Sequence, residues 1–151
     1  MKKILYLILF FLIITSMTLS AQGKGLGLGV IVGEPTGLSG KLWTAGGQAF
    51  DAAAAWSFVD DSAFYVHVNY LFHFADLISV KKGELPFYAG IGGKVKFVDP
   101  IVLGIRFPFG LEYLFIKVPL GVFLEIAPCL VLYPASDFDV GAGLGARYYI
   151  R

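Results

Sequence analysis

Charge is scarce in this chain. Only 15% of its 151 residues are Asp, Glu, Lys or Arg, where an ordinary water-soluble domain carries about 25%. Cysteine and histidine are scarcer still, with Cys129 alone and only His67 and His73. A single cysteine closes no internal disulfide, and so few Cys and His form no cluster with metal-ligand spacing. The 12 basic residues against 11 acidic ones are spread along the chain, so no basic stripe marks a nucleic-acid binder. After residue 20 no apolar run approaches the ~20 residues that a membrane-crossing helix requires, which excludes a helical membrane protein. What the chain does have is 57% hydrophobic residues, 16% aromatics, 19 glycines and a mean hydropathy of +0.74. These figures point to a solvent other than water for part of its surface.

The first residues read as an address. Lys2-Lys3, the apolar stretch Ile4 to Ile14, and the polar and small residues Thr15 to Ala21 have the three-part build of a secretory signal peptide cleaved after Leu19-Ser20-Ala21. A membrane anchor would need nearly twice that apolar length. No cysteine stands at the cleavage region after the apolar stretch and no twin arginine precedes it, so the signal is of the general secretory type. Residues 1–21 are assigned to the signal and 22–151 to one exported domain.

Turn-forming sequences divide that domain: Glu34-Pro35-Thr36-Gly37, Ala45-Gly46-Gly47, Asp60-Asp61-Ser62, the stretch Asp76 to Pro86, Asp99-Pro100, Ile116-Lys117 and Pro134-Ala135-Ser136-Asp137. Eight segments result, at about 24–33, 37–44, 49–58, 62–74, 86–98, 101–115, 118–133 and 138–150. Most are near the ~9–11 residues of a tilted membrane-spanning strand. Side chains on a strand alternate between its faces. In the fourth segment Phe64, Val66, Val68, Tyr70, Phe72 and Phe74 oppose Tyr65, His67, Asn69, Leu71 and His73. In the sixth, Leu103, Ile105, Phe107, Phe109, Leu111, Tyr113 and Phe115 oppose Gly104, Arg106, Pro108, Gly110, Glu112 and Leu114. Sorted this way, every charge inside a segment falls on the second face: Lys41, Asp51, Lys94, Lys96, Arg106, Glu112, Glu125, Asp139 and Arg147.

A water-soluble, lipocalin-like barrel also has one apolar face, turned inward. The glycines decide between the two. Gly25, Gly27, Gly29, Gly90, Gly92, Gly104, Gly110, Gly121, Gly141, Gly143 and Gly145 share the charged face, and small residues are wanted where a narrow closed sheet is crowded. The charged face is therefore the lumen and the large apolar side chains look out at lipid. An open sheet would leave backbone groups unpaired in hydrocarbon. The predicted fold is all-β, a closed eight-stranded antiparallel up-and-down transmembrane β-barrel in a bacterial outer membrane. Aromatics near segment ends, such as Tyr70, Phe72, Phe74, Phe87, Tyr113, Phe115, Phe138 and Tyr148, fit the interfacial girdles of such barrels.

An eight-stranded barrel is filled by its own side chains, so the nine lumen charges are expected to pair internally. Folding segment seven back from Pro134 places Phe123 opposite Arg147, and folding six onto seven places Arg106 near Ala127; Glu125 is then expected between Arg106 and Arg147. With the exported N-terminus on the inner side, turns after odd-numbered segments face outward. They carry Glu34, Asp60, Asp61, Asp99 and Asp137 without a base, an acidic rim suited to divalent cations or a basic partner, although Asp-Pro and Asp-Asp also simply make turns. Lys24, Lys81, Lys82, Lys117 and Arg151 gather at the other end, against Asp76 and Glu84. No cofactor or metal is expected, and no catalysis. His67 and His73 lie about 20 Å apart along one strand, both look inward, and neither is followed by the Ser of a lipid-modifying site. Cys129 reads as a small packed side chain. Gly141-x-Gly143-x-Gly145 lacks the spacing of a nucleotide loop.

The phrases Gly33-Glu34-Pro35-Thr36-Gly37-Leu38-Ser39-Gly40-Lys41-Leu42-Trp43, Ala53-Ala54-Ala55-Trp56-Ser57-Phe58, Tyr70-Leu71-Phe72-His73, Phe123-Leu124-Glu125-Ile126-Ala127-Pro128 and Arg147-Tyr148-Tyr149-Ile150 resemble a spirochaete-type family of small outer-membrane barrels. More distantly the chain is similar to OmpX and the OmpA transmembrane domain. The resemblance covers nearly all of 22–151. It implies a monomeric envelope or surface protein whose partners are outer-membrane lipid, periplasmic chaperones, the barrel-assembly machinery and a host or environmental surface factor. A deacylase- or acyltransferase-type outer-membrane enzyme and a narrow ion channel are the alternatives from other classes.

Overall fold

The protein is described by a computed structural model covering residues 25–57 and 63–150, together with Ile4. The signal assigned to 1–21 lies outside the described residues apart from Ile4, as do Asp60 and Asp61 of the expected rim. The strands are β1 (Leu26–Glu34), β2 (Thr36–Trp43), β3 (Gln48–Ser57), β4 (Ala63–Phe74), β5 (Phe87–Phe97), β6 (Val102–Arg106), β7 (Phe109–Leu114), β8 (Leu120–Tyr133) and β9 (Asp137–Ile150). The one other regular element among the described residues is a 3-10 turn at Ala45–Gly47.

All nine strands form one antiparallel sheet. The last strand returns to the first, with β1 and β9 paired from Leu26↔Ile150 to Glu34↔Ala142, so the sheet closes into a ring without an edge. Eight segments were expected and nine strands are found. The extra one comes from the sixth segment, which breaks at Phe107-Pro108. Proline has no N–H to give to a ladder, so β6 and β7 are separate strands that both pair with β5 on one side and β8 on the other. The break stays bonded to its neighbours. Gly90 N–H donates to Pro108 O at 3.0 Å and Phe107 N–H donates to Pro128 O at 2.9 Å. The nine strands thus occupy eight places around the ring.

Connections alternate between two ends. At one, the Pro35 end, lie Glu34-Pro35, Asp99-Pro100 and Pro134 to Ser136. The first of these is tight: Gly33, with φ of 139°, donates its N–H to Thr36 Oγ1 at 3.0 Å while Thr36 Oγ1 donates to Gly33 O at 2.8 Å. At the other, the Pro86 end, lie residues 44–47, 75–86 and 115–119, with the start of β1 and the finish of β9. The longest connection is not loose. Glu84 and Leu114 exchange backbone hydrogen bonds of 3.1 and 2.8 Å, and Tyr113 Oη donates to Lys82 O at 2.7 Å, so residues 84–86 extend the pairing with β7 ahead of the start of β5.

Side chains alternate as the sequence required. Leu28, Val30 and Val32 face out from β1 while Ile31 is buried, and Leu103, Phe107 and Phe109 face out while Arg106, Pro108 and Glu112 are buried. The parity survives the break between β6 and β7. Inside, two small apolar clusters, Ile31–Ala53–Phe123 and Trp43–Ala49–Leu114–Tyr149, are interleaved with polar groups. Space there is short: a Cβ on Gly121 would stand 2.7 Å from Glu112 Oε1, and one on Gly104 2.7 Å from Cys129 Sγ.

Candidate functional site

The charged interior is the candidate site. Lys41, Asp51, Arg106, Glu112, Glu125 and Arg147 are each at most 3% exposed, and Lys94 7%. They come from β2, β3, β5, β6, β7, β8 and β9, so nearly every strand contributes one, and the ring closure brings them together.

Nearest the Pro86 end, Glu112 receives hydrogen bonds from Lys41 Nζ and from Tyr149 Oη, and Arg147 Nη1 stands 3.7 Å away. Arg147 donates from Nε to Ser39 Oγ at 2.9 Å and from Nη2 to Asp51 Oδ2 at 3.3 Å, while Asn69 Nδ2 donates to Asp51 Oδ1 at 2.6 Å. Aromatic faces complete the surround: Lys41 Nζ lies 4.3 Å from the centre of Trp43, and Arg147 Cζ 3.8 Å from that of Phe123, both within reach of a cation–π attraction. Two bases thus face two acids, and the cluster is neutral.

Midway along the ring, Arg106 Nη2 donates to Glu125 Oε1 at 2.9 Å and Tyr88 Oη to Glu125 Oε2 at 2.8 Å. Arg106 Nη1 reaches Tyr65 Oη at 3.2 Å and also His67 Nδ1. Arginine only donates, so His67 accepts there and carries its proton on Nε2. The same reasoning places the proton of His73 on Nδ1, because Nε2 receives Lys41 Nζ at 2.7 Å and Nδ1 gives to Gly47 O at 3.0 Å. At the Pro35 mouth Lys94 Nζ pairs with Asp139 Oδ2 at 2.6 Å, and Asp139 is half exposed. Beneath that mouth only about 30 Å³ of space remains beside Tyr65, Arg106 and Cys129.

The expected bridge of Glu125 between two arginines is half present. Arg106–Glu125 is made, but Arg147 turns to Ser39, Asp51 and Glu112. The cause is register. Arg147 lies opposite Gly121 and Glu125 opposite Gly143, two residues from the expected alignment, because the β8–β9 hairpin closes on Val131↔Asp137. Arg106 likewise faces Cys129 rather than Ala127, because the β7–β8 hairpin closes on Leu114↔Gly121 and keeps that register through Arg106.

The rim needs a second correction. Glu34, Asp99 and Asp137 do lie at the Pro35 end, but Lys94 and Lys96 line the same open mouth with Glu34, Asp137 and Asp139, around about 420 Å³. Ser57 Oγ also donates to Glu34 Oε1. The mouth is of mixed charge, not purely acidic. Sequence reasoning named the charges but passed over Tyr65, Tyr88, Tyr149 and Ser39, which join them. Their signal was available, since they share the charged parity.

Among the described residues no three His, Cys, Asp or Glu side chains are grouped so as to hold a metal ion, and Cys129 is buried without a disulfide. Glu34, Asp51, Glu112, Glu125 and Asp139 are each engaged by a base or a hydroxyl, an arrangement that fixes groups in place. The chain matches no protein-family model, no curated protein and no solved structure.

Proposed function

We propose that the ring is an eight-stranded barrel spanning a bacterial outer membrane, a non-enzymatic protein of envelope structure or surface interaction, exported by the signal in residues 1–21. One observation carries this reading: polarity is inverted. Buried charges fill the interior, while Leu28, Val30, Val32, Leu38, Ile91, Leu124, Ile126 and Leu144 are between 49% and 68% exposed on the outside. Water-soluble monomers rarely expose a contiguous apolar surface beyond a few hundred Å², and here apolar residues look out from strand after strand. Closure supports the same reading, because only a sheet without edges satisfies its backbone in hydrocarbon.

The aromatics are spaced to match. Trp56, Phe64 and Phe97 form a row at the Pro35 end, with ring centres 5.8 and 5.6 Å apart. At the Pro86 end Phe74 meets Phe87 at 6.2 Å and Tyr113 meets Phe115 at 4.7 Å. Phe64 and Phe74 are ten residues apart on β4, about 33 Å along the strand. At the ~40° tilt usual for such barrels this is about 25 Å of height, the span of the apolar band. The resemblance to small outer-membrane barrels points the same way. Two levels of ion pairs cross the interior, which favours a filled lumen over a channel, and His67 is held by Arg106 inside the ring rather than presented to lipid. On this reading the partners are outer-membrane lipid and the barrel-assembly machinery, and the protein is a monomer.

The test is to refold residues 22–151 in detergent and compare unheated with boiled samples on a gel. A compact, faster band that vanishes on boiling, with a β-type circular dichroism spectrum, is the expected result. A single mobility with a helical or disordered spectrum would overturn the reading.

A further inference from the structure

The turn at 115–119 is built unlike an ordinary turn. Polar and small residues dominate turns in water, yet Phe115, Ile116 and Val118 are 39%, 69% and 47% exposed, with exposed Lys117 between the last two. Its backbone is fixed on three sides. Phe115 N–H donates to Leu120 O at 3.0 Å, Leu120 N–H to Val118 O at 2.8 Å, and Tyr149 N–H to Pro119 O at 2.7 Å. A groove of about 380 Å³ runs between this turn and the outer face of β9, where Tyr148 and Ile150 line its far wall. That volume is in the range of small-ligand sites. Among the described residues Lys117 is the one charged residue lining it. A second hollow of about 360 Å³ on the other side of the turn contains Glu84, whose carboxylate opposes an anion. The two differ in charge, and only the first pairs an apolar bed with a cation.

We propose that the groove between the 115–119 turn and the end of β9 seats a phospholipid of net negative headgroup. One acyl chain lies over Ile116, Val118, Tyr148 and Ile150, and the phosphate meets the Lys117 ammonium. This rests on the membrane-spanning reading and deepens it. Lys117 is suited to the headgroup level, since a lysine lays its apolar stem on neighbouring aliphatics and keeps its ammonium in the polar layer. The ends of the ring favour an anionic leaflet on this side as well. The Pro86 end carries Lys81, Lys82 and Lys117 against Asp76 and Glu84, whereas at the Pro35 end the described acids Glu34, Asp99, Asp137 and Asp139 outnumber Lys94 and Lys96. Charge thus selects which end meets the anionic headgroups, and the apolar walls select a lipid over a free anion.

The full exported domain, refolded in micelles holding equal amounts of phosphatidylglycerol and phosphatidylcholine, is released into native mass spectrometry to count retained lipids. Phosphatidylglycerol is expected to be retained at least about fivefold over phosphatidylcholine, the preference one lysine near a charged bilayer surface supplies. Lys117→Gln abolishes that preference and Lys117→Arg keeps it. Ile116→Ser lowers retention of both lipids without changing their ratio. Excess inorganic phosphate leaves the bound lipid in place. Equal retention of the two lipids, displacement by phosphate, or an equal loss of preference in a Lys81→Gln/Lys82→Gln variant would each overturn the site. Heat-dependent mobility is recorded for every sample. Its absence in the unsubstituted chain overturns the membrane reading, whereas its presence without lipid preference overturns the groove alone.

Discussion

Replacing Glu112 by glutamine removes one negative charge from the most buried part of the ring and nearly nothing else. Glu112 holds Lys41, Tyr149 and Arg147, and with Asp51 it balances the two bases. Glutamine keeps the shape and one carbonyl acceptor. The change leaves Lys41 and Arg147 facing Asp51 alone, a buried net charge of one. Breaking a buried pair in this way costs about 3–5 kcal/mol, because the orphaned charge keeps its desolvation penalty. With a urea slope of about 2 kcal/mol per molar, the unfolding midpoint should fall by about 2 M. The fluorescence of Trp43 is a local reporter, since its ring lies 4.3 Å beneath Lys41 Nζ; loss of the compact gel band gives the global transition. The decisive variant is the double one. Adding Lys41→Met to Glu112→Gln removes the orphaned cation and leaves Arg147 with Asp51, so most of the loss should return, to within about 1–2 kcal/mol of the parent. A Glu112→Gln loss below about 1 kcal/mol, or a double variant as unstable as the two single losses added, would refute the charge-balance reasoning.

Three further outcomes follow from the packing. Gly121→Ala puts a methyl 2.7 Å from Glu112 Oε1 and 3.0 Å from the Tyr149 ring and should cost about 1–3 kcal/mol; Gly40→Ala, whose methyl meets Leu28 Cδ2 at 3.6 Å and Gly27 O at 3.8 Å, both ordinary contacts, should change the urea midpoint little or raise it. Leu144→Arg, near the middle of β9, should cost about 2–4 kcal/mol in vesicles if that face meets lipid, but within about 0.5 kcal/mol if it meets water; a negligible shift in vesicles would count against membrane insertion. Cys129, buried beside Gly104, should resist maleimide labelling in the folded state and react at once when unfolded, and rapid labelling of folded protein would contradict its inward placement.

Alternation made the faces of this molecule readable before its structure. A strand repeats every two residues, so each charge within a segment declared its side, and Lys41, Asp51, Arg106, Glu112, Glu125 and Arg147 are all buried as that parity demands. Pairing across the ring was not readable. Lys41 and Glu112 are 71 residues apart, and their meeting depends on the stagger accumulated around the whole sheet. Hairpin arithmetic misses by two residues at Arg147 and at Arg106, because the β8–β9 turn centres on Pro134 rather than Ala135 and the β7–β8 hairpin closes on Leu114↔Gly121, one residue beyond a turn centred on Ile116-Lys117. The mouth was misjudged for a related reason. Lys94 is buried as an interior charge, but β5 ends at Phe97, so Lys94 and Lys96 also lie high enough to line the opening with the acids around it.

Alternation alone leaves register undecided. Any slip by an even number of residues keeps every Leu, Val and Phe outside, so the apolar face cannot tell one such alignment from another, whereas a slip of one residue would turn the charges outward. The interior pairs remove that freedom. Arg147 on β9 reaches Ser39 on β2, Asp51 on β3 and Glu112 on β7, tying the last strand to three others, and Arg106 ties β6 to Tyr65 and His67 on β4 and to Glu125 on β8. Moving β9 by two residues along its neighbours would carry the Arg147 guanidinium away from both carboxylates, at a cost of about 3–5 kcal/mol for the buried charge left unpaired. On the proposed reading the outward face suits the ring to lipid, and the charged interior selects one stagger among those the outward face would accept.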